Sequence, residues 1–401
     1  MFIKHIYLGD VMKRKRLIYL TAFLAVIIVF CSTCFSDYTG EGAIITLHLG
    51  RENSRTSFNL QDDDYIKELK HTIEFSGPFG ENFTLEAGDG LDQIQVQVDS
   101  GRWTIKVTAA HENYPHQIAE GSVIRFIRAG INNHVDIIMN QTYFEIDTNE
   151  DWLAALSKIR EGKSKDFAIN IKADKIITEP NYIVGDDVNV LIYSEKETGS
   201  TIALENTKYD PLLTIGYYTT EFIENRIPTT VTIKNIILEG HKDRENIDMY
   251  SLIKINEWGT FIMEEESKVI NALGRYGGGV NVEGLFIMKD GSSISGNFSI
   301  VNGGGVYVSK YSGGYREDRG IFYMAGGIIY GMDEGDELSN MCVSANTLAP
   351  SYRDGGALYV AYDGIAEYGS FVNGQWVKSG DILSSGQFSD DTITVINGEL
   401  Q

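Results

Sequence analysis

One phrase occurs twice in the sequence, as Gly277-Gly278-Gly279-Val280-Asn281-Val282 and as Gly303-Gly304-Gly305-Val306-Tyr307-Val308. The first copy continues with Leu285-Phe286-Ile287-Met288 and Ser292-Ser293-Ile294-Ser295-Gly296-Asn297, and the second with Ile321-Phe322-Tyr323-Met324 and Gly326-Gly327-Ile328-Ile329-Tyr330-Gly331. A weaker copy begins at Leu252-Ile253-Lys254-Ile255, and a fourth begins at Gly355-Gly356-Ala357-Leu358-Tyr359-Val360. The residues between Gly277 and Gly331 therefore contain an internal repeat.

The repeat has a period in the twenties. Ile253, Val280 and Val306 lie 27 and 26 positions apart, and Leu358 follows 52 positions later, which is twice 26. A period of this length is typical of a solenoid, in which each unit buries its apolar face only against its neighbours. We therefore predict a stack of repeated units, with two periods between Val306 and Leu358.

Each unit contains three short segments that alternate between apolar and other residues, which is a strand pattern. The pattern predicts one turn of a parallel β-helix, with these side chains pointing inward: Val280, Val282, Phe286, Met288 and Ile294. Leucine-rich repeats have a similar period, but their regularly spaced leucines and asparagine are missing here. An antiparallel β-sandwich with glycine-rich turns is the alternative.

Composition limits the class of protein and of partner. The chain has 401 residues, a formal charge of −22, 42 glycines and 6 prolines. Glycine without proline enrichment indicates a turn-rich β protein with two or three domains. A nucleic-acid partner requires a basic patch, so the acidic balance argues against one.

Residues 1–36 are interpreted as an export segment, with Met12 as its true start. Lys13-Arg14-Lys15-Arg16 is a basic region, and Leu17–Phe30 is an uncharged run of fourteen residues. That run suits a signal peptide and is short for a membrane span. The segment predicts that the rest of the chain is exported.

Two of the three cysteines, Cys31 and Cys34, follow this run. A lipoprotein modified at Cys34, or failing that at Cys31, is the first interpretation, and it places the protein at the outer membrane or cell surface. Cleavage after Ser36, giving a secreted or periplasmic protein, and an uncleaved anchor are the alternatives. Cys342 has no cysteine partner in the mature chain, so no disulfide framework is expected.

Residues 42–140 are predicted to form a separate β-sandwich of immunoglobulin-like type. Short turns divide seven candidate strands: Ile44–Leu49, Thr72–Phe75, Asn82–Leu85, Gln93–Val98, Thr104–Thr108, Ser122–Ile127 and Val135–Met139. Seven strands in about a hundred residues are typical of that fold. Trp103 is interpreted as a core residue, and the domain as a spacer between the membrane and the solenoid.

A helix is predicted over residues 149–161, at the start of a β-helix domain covering 148–401. Thr148 and Asp151 have the spacing of a capping box, and Gly162 is suited to ending the helix. Trp152, Leu153, Leu156 and Ile159 form one apolar face. A solenoid exposes core and strand edge at its first unit, so we expect this helix to cover that end.

The early units are less regular, and several insertions interrupt the later ones. Candidate early strands are Phe167–Ile171, Val188–Tyr193, Thr201–Leu204, Leu212–Ile215 and Thr230–Leu238. Tyr217–Ile227 and Gly240–Tyr250 are predicted to lie on the outside. Two longer insertions are Lys310–Gly320 and Met332–Asp354, the regular units end near Gly374, and Thr392–Gly398 forms a last strand and turn.

The repeats resemble right-handed parallel β-helix, pectin-lyase-like surface proteins of diderm bacteria. The resemblance rests on Gly303–Val308, Phe322–Met324 and Gly326–Gly331, with Gly296-Asn297 in the preceding unit, and it covers about Thr148–Gln401. It is closest in pattern to exported lipoproteins with GGGVYV, FxM and GGxIxGN repeats. The resemblance implies an all-β protein, here a β-sandwich followed by a right-handed β-helix, and contact with glycans or adhesion.

Motifs of enzymes and metal sites are largely missing. None of the seven histidines has a metal-binding HxxxH or HExxH spacing, and no phosphate loop or nucleophile elbow occurs. Asp333, Glu334, Asp336 and Glu337 are weak calcium candidates, although a solvated acidic loop explains them better. No cofactor is expected.

Residues typical of binding surfaces lie in the two longer insertions. They are Tyr311, Tyr315, Arg316, Arg319, Tyr352 and Arg353. Tyrosine and arginine are enriched where interfaces are strongest, and loops on a rigid scaffold carry recognition. The first hypothesis is a monomeric, non-catalytic surface protein that binds a glycan or a host protein through these insertions.

The alternative hypothesis is a polysaccharide lyase or glycoside hydrolase acting on acidic glycans. Such a lyase needs acidic and basic residues on adjacent units that face one groove. The regular units offer Lys254, Lys268 and Lys289 with Glu283 and Asp290, without a repeated polar row. The charge of −22 would also repel polyuronate.

Overall fold

The computed structural model describes residues 42–49, 69–87, 93–112, 116–205, 210–217, 227–241, 250–309, 320–332, 337–342, 356–361, 363–385 and 387–401. These residues form an all-β structure that contains one α-helix, α1, at Asn149–Arg160. Two small sheets precede the helix, and a stack of parallel strands follows it.

The N-terminal unit comprises β1 Ala43–Leu49, β2 Lys70–Ser76, β3 Asn82–Ala87, β4 Gln93–Val98, β5 Gly101–Ala110, β6 Ala119–Ile127, β7 Asn132–Ile137 and β8 Asn140–Gln141. All seven predicted strands are present, most of them longer than predicted. They form a three-stranded sheet, β4-β1-β7, and a five-stranded antiparallel sheet, β3-β2-β5-β6-β8, with β1 and β7 running parallel. Residues of both sheets share one hydrophobic core.

Trp103 lies at the centre of that core, as predicted. Its side chain is fully buried, and its Nε1 donates a hydrogen bond of 2.9 Å to the Asp99 carbonyl. The rings of Phe75 and Phe83 meet it edge-on at 6.3 and 5.8 Å. A buried indole that has both a hydrogen-bond partner and aromatic contacts is a packing residue, not a ligand platform.

The remaining strands follow in chain order. They begin with β9 Tyr143–Ile146, β10 Asp166–Ile171, β11 Lys175–Thr178, β12 Asn181–Ile183, β13 Asn189–Tyr193, β14 Ser200–Leu204, β15 Leu213–Ile215, β16 Thr229–Lys234, β17 Ile236–Glu239, β18 Ile253–Ile255, β19 Gly259–Met263, β20 Lys268–Ile270 and β21 Leu273–Tyr276. They continue with β22 Val280–Val282, β23 Leu285–Met288, β24 Ser293–Ser295, β25 Phe298–Asn302, β26 Val306–Val308, β27 Ile321–Met324, β28 Gly327–Ile329, β29 Met341–Cys342, β30 Leu358–Val360, β31 Ile365–Val372, β32 Gln375–Leu383, β33 Phe388–Ser389, β34 Ile393–Ile396 and β35 Glu399–Leu400.

These strands form three long sheets, which the chain visits in turn. The first sheet has the order β9-β10-β13-β16-β19-β23-β27-β31-β32, the second β11-β14-β17-β20-β24-β28-β34-β35, and the third β12-β15-β18-β22-β26-β30-β33. One passage through the three sheets is called a repeat below. Strands of successive repeats pair in parallel up to β31, β28 and β30, an arrangement compatible with a β-helix.

The register of the third sheet joins the predicted repeat anchors directly. Ile253 pairs with Val280, Val280 with Val306, and Val306 with Leu358. The prediction of two periods between Val306 and Leu358 is therefore wrong. They belong to adjacent repeats, and the extra residues of this one long repeat lie in its insertions.

The predicted inward positions are confirmed. Val280, Val282, Phe286, Met288 and Ile294 are fully buried. Identical side chains stack between repeats, with Phe261 and Phe286 rings 5.6 Å apart and Phe286 and Phe322 rings 5.0 Å apart. One continuous apolar core runs through the stack as a result.

A fourth, three-stranded sheet, β21-β25-β29, lies between the second and third sheets in the later repeats and was not predicted. Buried asparagines join the second sheet to it. Asn297 donates hydrogen bonds to the Val269 carbonyl and to Asn340, both at 3.0 Å. Asn340 in turn donates to the carbonyls of Ile294 and Tyr330 at 2.9 and 2.7 Å. The Gly-Asn motif therefore stabilises the turn between the second sheet and the fourth sheet.

Both ends of the stack are covered. The predicted capping box of α1 is present, with Thr148 and Asp151 bonded to each other's backbone, and Trp152, Ala155, Leu156 and Ile159 join the core of the stack. At the other end, β32, β33 and β34 pair antiparallel with the last strands of the three long sheets. Gly374 lies in the β31–β32 hairpin, so the first sheet continues beyond the predicted end.

The N-terminal unit contacts the outer face of the first sheet. Tyr143, Ala168 and Tyr193 belong to the hydrophobic core of that unit, and the His116 ring meets Tyr193 edge-on at 5.2 Å. The Thr142 backbone bonds to Ile118 on one side and to Ala168 on the other, at 2.9 Å each. The first sheet therefore follows the N-terminal unit without a separate linker.

We predict that Val306→Asp destabilises the stack by more than about 3 kcal/mol, because it buries a carboxylate without a partner between Val280 and Leu358. Thermal and urea unfolding provide the measurement. Ile262→Asp is the matched control, since Ile262 lies on a strand of the same stack but faces outward and is partly exposed. Equal loss of stability in the two variants would contradict the inward assignment of Val306.

A second prediction concerns pH. Burial lowers the pKa of His71 and of His116 below the ordinary value of 6.5. The unfolded chain therefore takes up protons at these sites before the folded chain does, so the free energy of unfolding falls as the pH decreases below about 6.5. In His71→Asn/His116→Asn, melting temperatures between pH 7.5 and 5.5 should depend less on pH than in the wild type. An unchanged slope would contradict the assignment.

Candidate functional site

The outward face of the third sheet carries one side chain per repeat in a straight row. In the three-residue strands β18, β22, β26 and β30, the first and third residues are buried and the middle one is partly exposed. Backbone pairing places these middle residues side by side in the order Lys254, Asn281, Tyr307, Tyr359. We call this row, together with Tyr276 and Glu283, the tyrosine face.

Three tyrosine rings of this face contact one another. The rings of Tyr307 and Tyr359 stack at 5.6 Å with an interplanar angle of 12°, and Tyr276 meets Tyr307 at 5.0 Å with a tilt of 41°. Burial raises the pKa of Tyr307 to about 12, and the two neighbouring phenols act in the same direction. The Tyr307 hydroxyl therefore stays protonated at neutral pH and can donate a hydrogen bond.

An ion pair lies at the other end of the row. The Lys254 ammonium contacts the Glu283 carboxylate, and both side chains are largely buried, at 15% and 12% exposure. Desolvation lowers the pKa of Lys254 although Glu283 opposes this shift. A charged pair held in a partly desolvated place interacts more strongly than one on an open surface.

Asn281 lies between the ion pair and the tyrosines. Its Oδ1 is buried and accepts no hydrogen bond from the part of the chain that the structure describes. A buried carbonyl oxygen that lacks a partner is unfavourable, and such atoms are frequent at sites that bind water or a ligand. The row thus combines an ammonium, a carboxylate, an amide and phenols along one strip.

The predicted insertions join the chain at the two margins of the third sheet. Lys310–Gly320 follows β26 and leads to the first sheet, and Met332–Asp354 includes β29 and leads to β30. Tyr217–Ile227 follows β15, and Gly240–Tyr250 precedes β18. Every predicted insertion therefore begins or ends beside this sheet.

Of the predicted binding, metal and lipidation residues, only Glu337 belongs to the described part of the chain. The following lie outside the described residues: Tyr311, Tyr315, Arg316, Arg319, Tyr352, Arg353, Asp333, Glu334, Asp336, Cys31 and Cys34. Glu337 is described and is exposed. In the described part of the chain, no group of three His, Cys, Asp or Glu residues is arranged to hold a metal ion.

The lysines considered for a lyase are not brought together. Lys289 bonds Glu264 at 2.7 Å beside the first sheet, and Lys268 is exposed on the second sheet. Asp290 accepts a hydrogen bond from the Asn397 backbone at 3.2 Å, in the C-terminal turn. Of the residues named for that chemistry, only Lys254 and Glu283 meet.

Sequence reasoning missed Tyr276, Asn281, Tyr307 and Tyr359 as site residues. The available signal was the middle position of each apolar-x-apolar triplet, such as Val306-Tyr307-Val308 and Leu358-Tyr359-Val360. Once the inward positions are assigned, alternation requires the middle residues to point outward in one row.

A second aromatic cluster lies on the outward side of the first sheet. Tyr323 and Trp376 stack at 4.5 Å, and Phe371 packs against Trp376 at 5.1 Å. The Trp376 Nε1 donates to Glu367 at 3.1 Å, and Lys378 also bonds Glu367. This cluster joins the β31–β32 hairpin to the stack, so we interpret it as structural.

We predict an energetic coupling of about 1–3 kcal/mol between Lys254 and Glu283, because each charge stabilises the other in a partly desolvated place. Lys254→Met and Glu283→Gln should each destabilise the protein, and the double variant should destabilise it by less than the sum of the two single effects. Urea unfolding of the four proteins measures the coupling. Lys378→Met with Asp381→Asn, a more exposed pair, serves as the control and should couple weakly. Additive effects at Lys254 and Glu283 would contradict a buried pair.

The described helix is too short and too polar to span a membrane, and no other described segment forms a membrane-spanning helix. Comparison with known proteins found no matching family model, no matching curated protein and no matching solved structure.

Proposed function

We propose that the protein is an exported, non-catalytic surface protein that binds a glycan along the tyrosine face. In this proposal the stack is a right-handed parallel β-helix that serves as a rigid rod. The N-terminal unit is a β-sandwich of immunoglobulin-like type that acts as a spacer. The chain is monomeric and attached to the outer membrane by a lipid on Cys34 or Cys31, or else secreted or periplasmic.

The observation that carries the proposal is the straight row of Lys254, Asn281, Tyr307 and Tyr359 across four adjacent strands. Neighbouring strands in a sheet are about 4.8 Å apart. This spacing is close to the length of one sugar residue in an extended polysaccharide. Successive sugars of a linear glycan lying along the row would therefore meet successive side chains.

The chemistry of the row suits hydroxyl-rich ligands. The neutral Tyr307 phenol can donate, and its pKa of about 12 keeps it protonated at neutral pH. The amide of Asn281 offers both donor and acceptor capacity. Tyr307 and Tyr359 stack on each other, so ring edges and hydroxyls, more than ring faces, are available to a ligand.

The charge of the row favours a neutral glycan over a polyuronate. Glu283 neutralises Lys254, so the described row carries no net charge. The whole chain has a formal charge of −22, which repels polyanions over a distance of several ångströms. The insertions join the described chain beside the third sheet, and in this proposal their residues Tyr311, Tyr315, Arg316, Arg319, Tyr352 and Arg353 add contacts to the ligand.

A polysaccharide lyase is the second candidate, and the Lys254 environment favours it. The lowered pKa of Lys254 increases the fraction of neutral amine, which is the form that accepts a proton. In such an elimination, Lys254 would remove the proton next to the uronate carboxyl group. The glycosidic carbon–oxygen bond would break, and the Tyr307 hydroxyl would protonate the departing oxygen.

We predict that Tyr307→Ala/Tyr359→Ala weakens glycan binding at least tenfold, since two contacts worth about 1 kcal/mol or more each are lost. Folding should be retained, because both side chains face outward. A glycan array followed by calorimetry with the best neutral oligosaccharide measures the effect. Tyr323→Ala is the matched control, since it removes another outward, stacked tyrosine from the first sheet.

Two outcomes would contradict the glycan proposal. Equal affinities in the tyrosine-face double variant and in Tyr323→Ala would exclude the row as the binding surface. If Tyr311→Ala/Tyr315→Ala/Arg316→Ala alone abolished binding in that case, recognition would belong to the insertion. Unsaturated products absorbing in the ultraviolet, formed by the wild type from polyuronates and lost in Lys254→Met, would establish the lyase.

A further inference from the structure

One end of the N-terminal unit exposes large apolar side chains. Phe79 is 88% exposed, Phe126 69%, Ile131 51% and Ile44 45%. Soluble surfaces contain single exposed apolar residues, but a group of them at one place marks an interaction surface.

The strand register places them at the same end. Ala43, which begins β1, pairs with the last residue of β4, and Ile44 pairs with the first residue of β7. Phe126 pairs with Arg102 at the start of β5. The β6–β7 turn contains Ile131, and the β2–β3 turn contains Phe79 next to the Ser76–Asn82 pair. We call this the Phe79 end.

The turn that presents Phe79 is firmly held in an unusual conformation. Phe79 has a φ of 60°, which is rare for a bulky residue. The Gly77 amide bonds the Glu81 carbonyl at 2.7 Å, and the Asn82 side chain bonds the Gly80 carbonyl at 3.2 Å. A side chain at the Gly77 position would overlap the Trp103 ring, so the turn is fixed against the core. Strained turns that expose an aromatic ring occur at functional sites.

The Phe79 end is also the basic end of this unit. Arg102, Arg125 and Arg128 are exposed there, and among the described residues only Glu81 and Asp99 oppose them nearby. This excess is local, because the chain as a whole is strongly acidic. Exposed aromatic and aliphatic side chains beside arginines match the boundary between lipid tails and phosphate headgroups.

The stack lies at the opposite end. The β5–β6 connection leaves from Ala110, and its His116 and Ile118 contact Tyr193 and the start of the first sheet. The chain passes from β8, which lies at this opposite end, directly into β9 of the first sheet. The stack therefore begins on the side of the unit that is remote from Phe79.

The sequence of the residues preceding Gly42 favours a membrane as the occupant of the Phe79 end. These 41 residues join β1 at that end, and their sequence contains four consecutive basic residues followed by the uncharged run Leu17–Phe30. If this segment attaches the chain to a membrane, through the uncharged run as an anchor or through a lipid on Cys34 or Cys31, the attachment lies on this side and brings the Phe79 end to the bilayer.

We propose that the Phe79 end lies on the surface of a phospholipid bilayer. Phe79, Phe126 and Ile131 enter the headgroup region, and Arg102, Arg125 and Arg128 contact lipid phosphates. The N-terminal unit then contacts the membrane directly, and the stack begins on the side of the unit that is remote from the bilayer. This inference rests on the membrane attachment in the proposed function, and it does not depend on the ligand of the tyrosine face.

The test places single tryptophans at the two ends of the N-terminal unit. The full chain carrying Phe79→Trp is reconstituted into phosphatidylcholine–phosphatidylglycerol vesicles that contain bromine-labelled acyl chains, which quench nearby indoles. Ile138→Trp is the matched control, because Ile138 is 66% exposed and follows β7 at the opposite end. The wild-type signal is subtracted, and Phe126→Trp repeats the test if the first variant fails to fold.

Quenching about threefold or more stronger at position 79 than at position 138 is expected, since interfacial side chains reach the acyl boundary. Equal quenching at both positions, or none at either, would overturn the proposal. A second combination of results would also overturn it. In lipid-free detergent solution, the position-79 emission would shift to the blue as the protein concentration rises, and in vesicles the bromine-labelled lipids would not quench it. That result would assign the Phe79 end to a second copy of the chain.

Discussion

The structure depends on the stacking of each repeat on the next through like side chains. Parallel pairing sets Phe261, Phe286 and Phe322 over one another in the first sheet, with rings 5.6 and 5.0 Å apart. The valines of the third sheet align in the same way. Because no space remains between such side chains, an inward position tolerates little change in size and no unpaired charge. The triple glycines follow from the same constraint, since a Cβ on Gly278 would lie 2.1 Å from the Phe298 carbonyl and one on Gly279 would lie 2.7 Å from the Gly305 carbonyl.

This constraint explains why inward residues were predictable and repeat boundaries were not. Val280, Met288 and Ile294 could be assigned from alternation alone, because every second residue must enter the core. The position of Leu358 could not be assigned from its distance to Val306. An insertion at a corner adds residues without adding a repeat, and loop length costs little free energy. A spacing of twice the period therefore has two explanations, and only backbone pairing distinguishes them.

The site residues were harder to predict for the opposite reason. Outward residues such as Asn281 and Tyr307 are less restricted in size and polarity than inward residues. Their residue types therefore follow no periodic pattern along the chain. Their relation becomes visible only when the register sets them side by side. The separate lysines illustrate this point, because Lys254, Lys268 and Lys289 look equivalent in the sequence but lie on or beside three different sheets. The arginines and aromatic residues of the Phe79 end are likewise distant in sequence and are joined by antiparallel pairing.

The shortness of the third-sheet strands determines what kind of ligand their face can receive. Each of β18, β22, β26 and β30 has three residues, two of which are buried, so each repeat contributes a single outward side chain. The first sheet has longer strands and two outward positions in most repeats. A strip one side chain wide matches a linear polymer better than a broad protein surface, which needs a two-dimensional patch for stable contact. Insertions that begin or end beside this sheet can then add width and specificity without disturbing the stacking on which the fold depends.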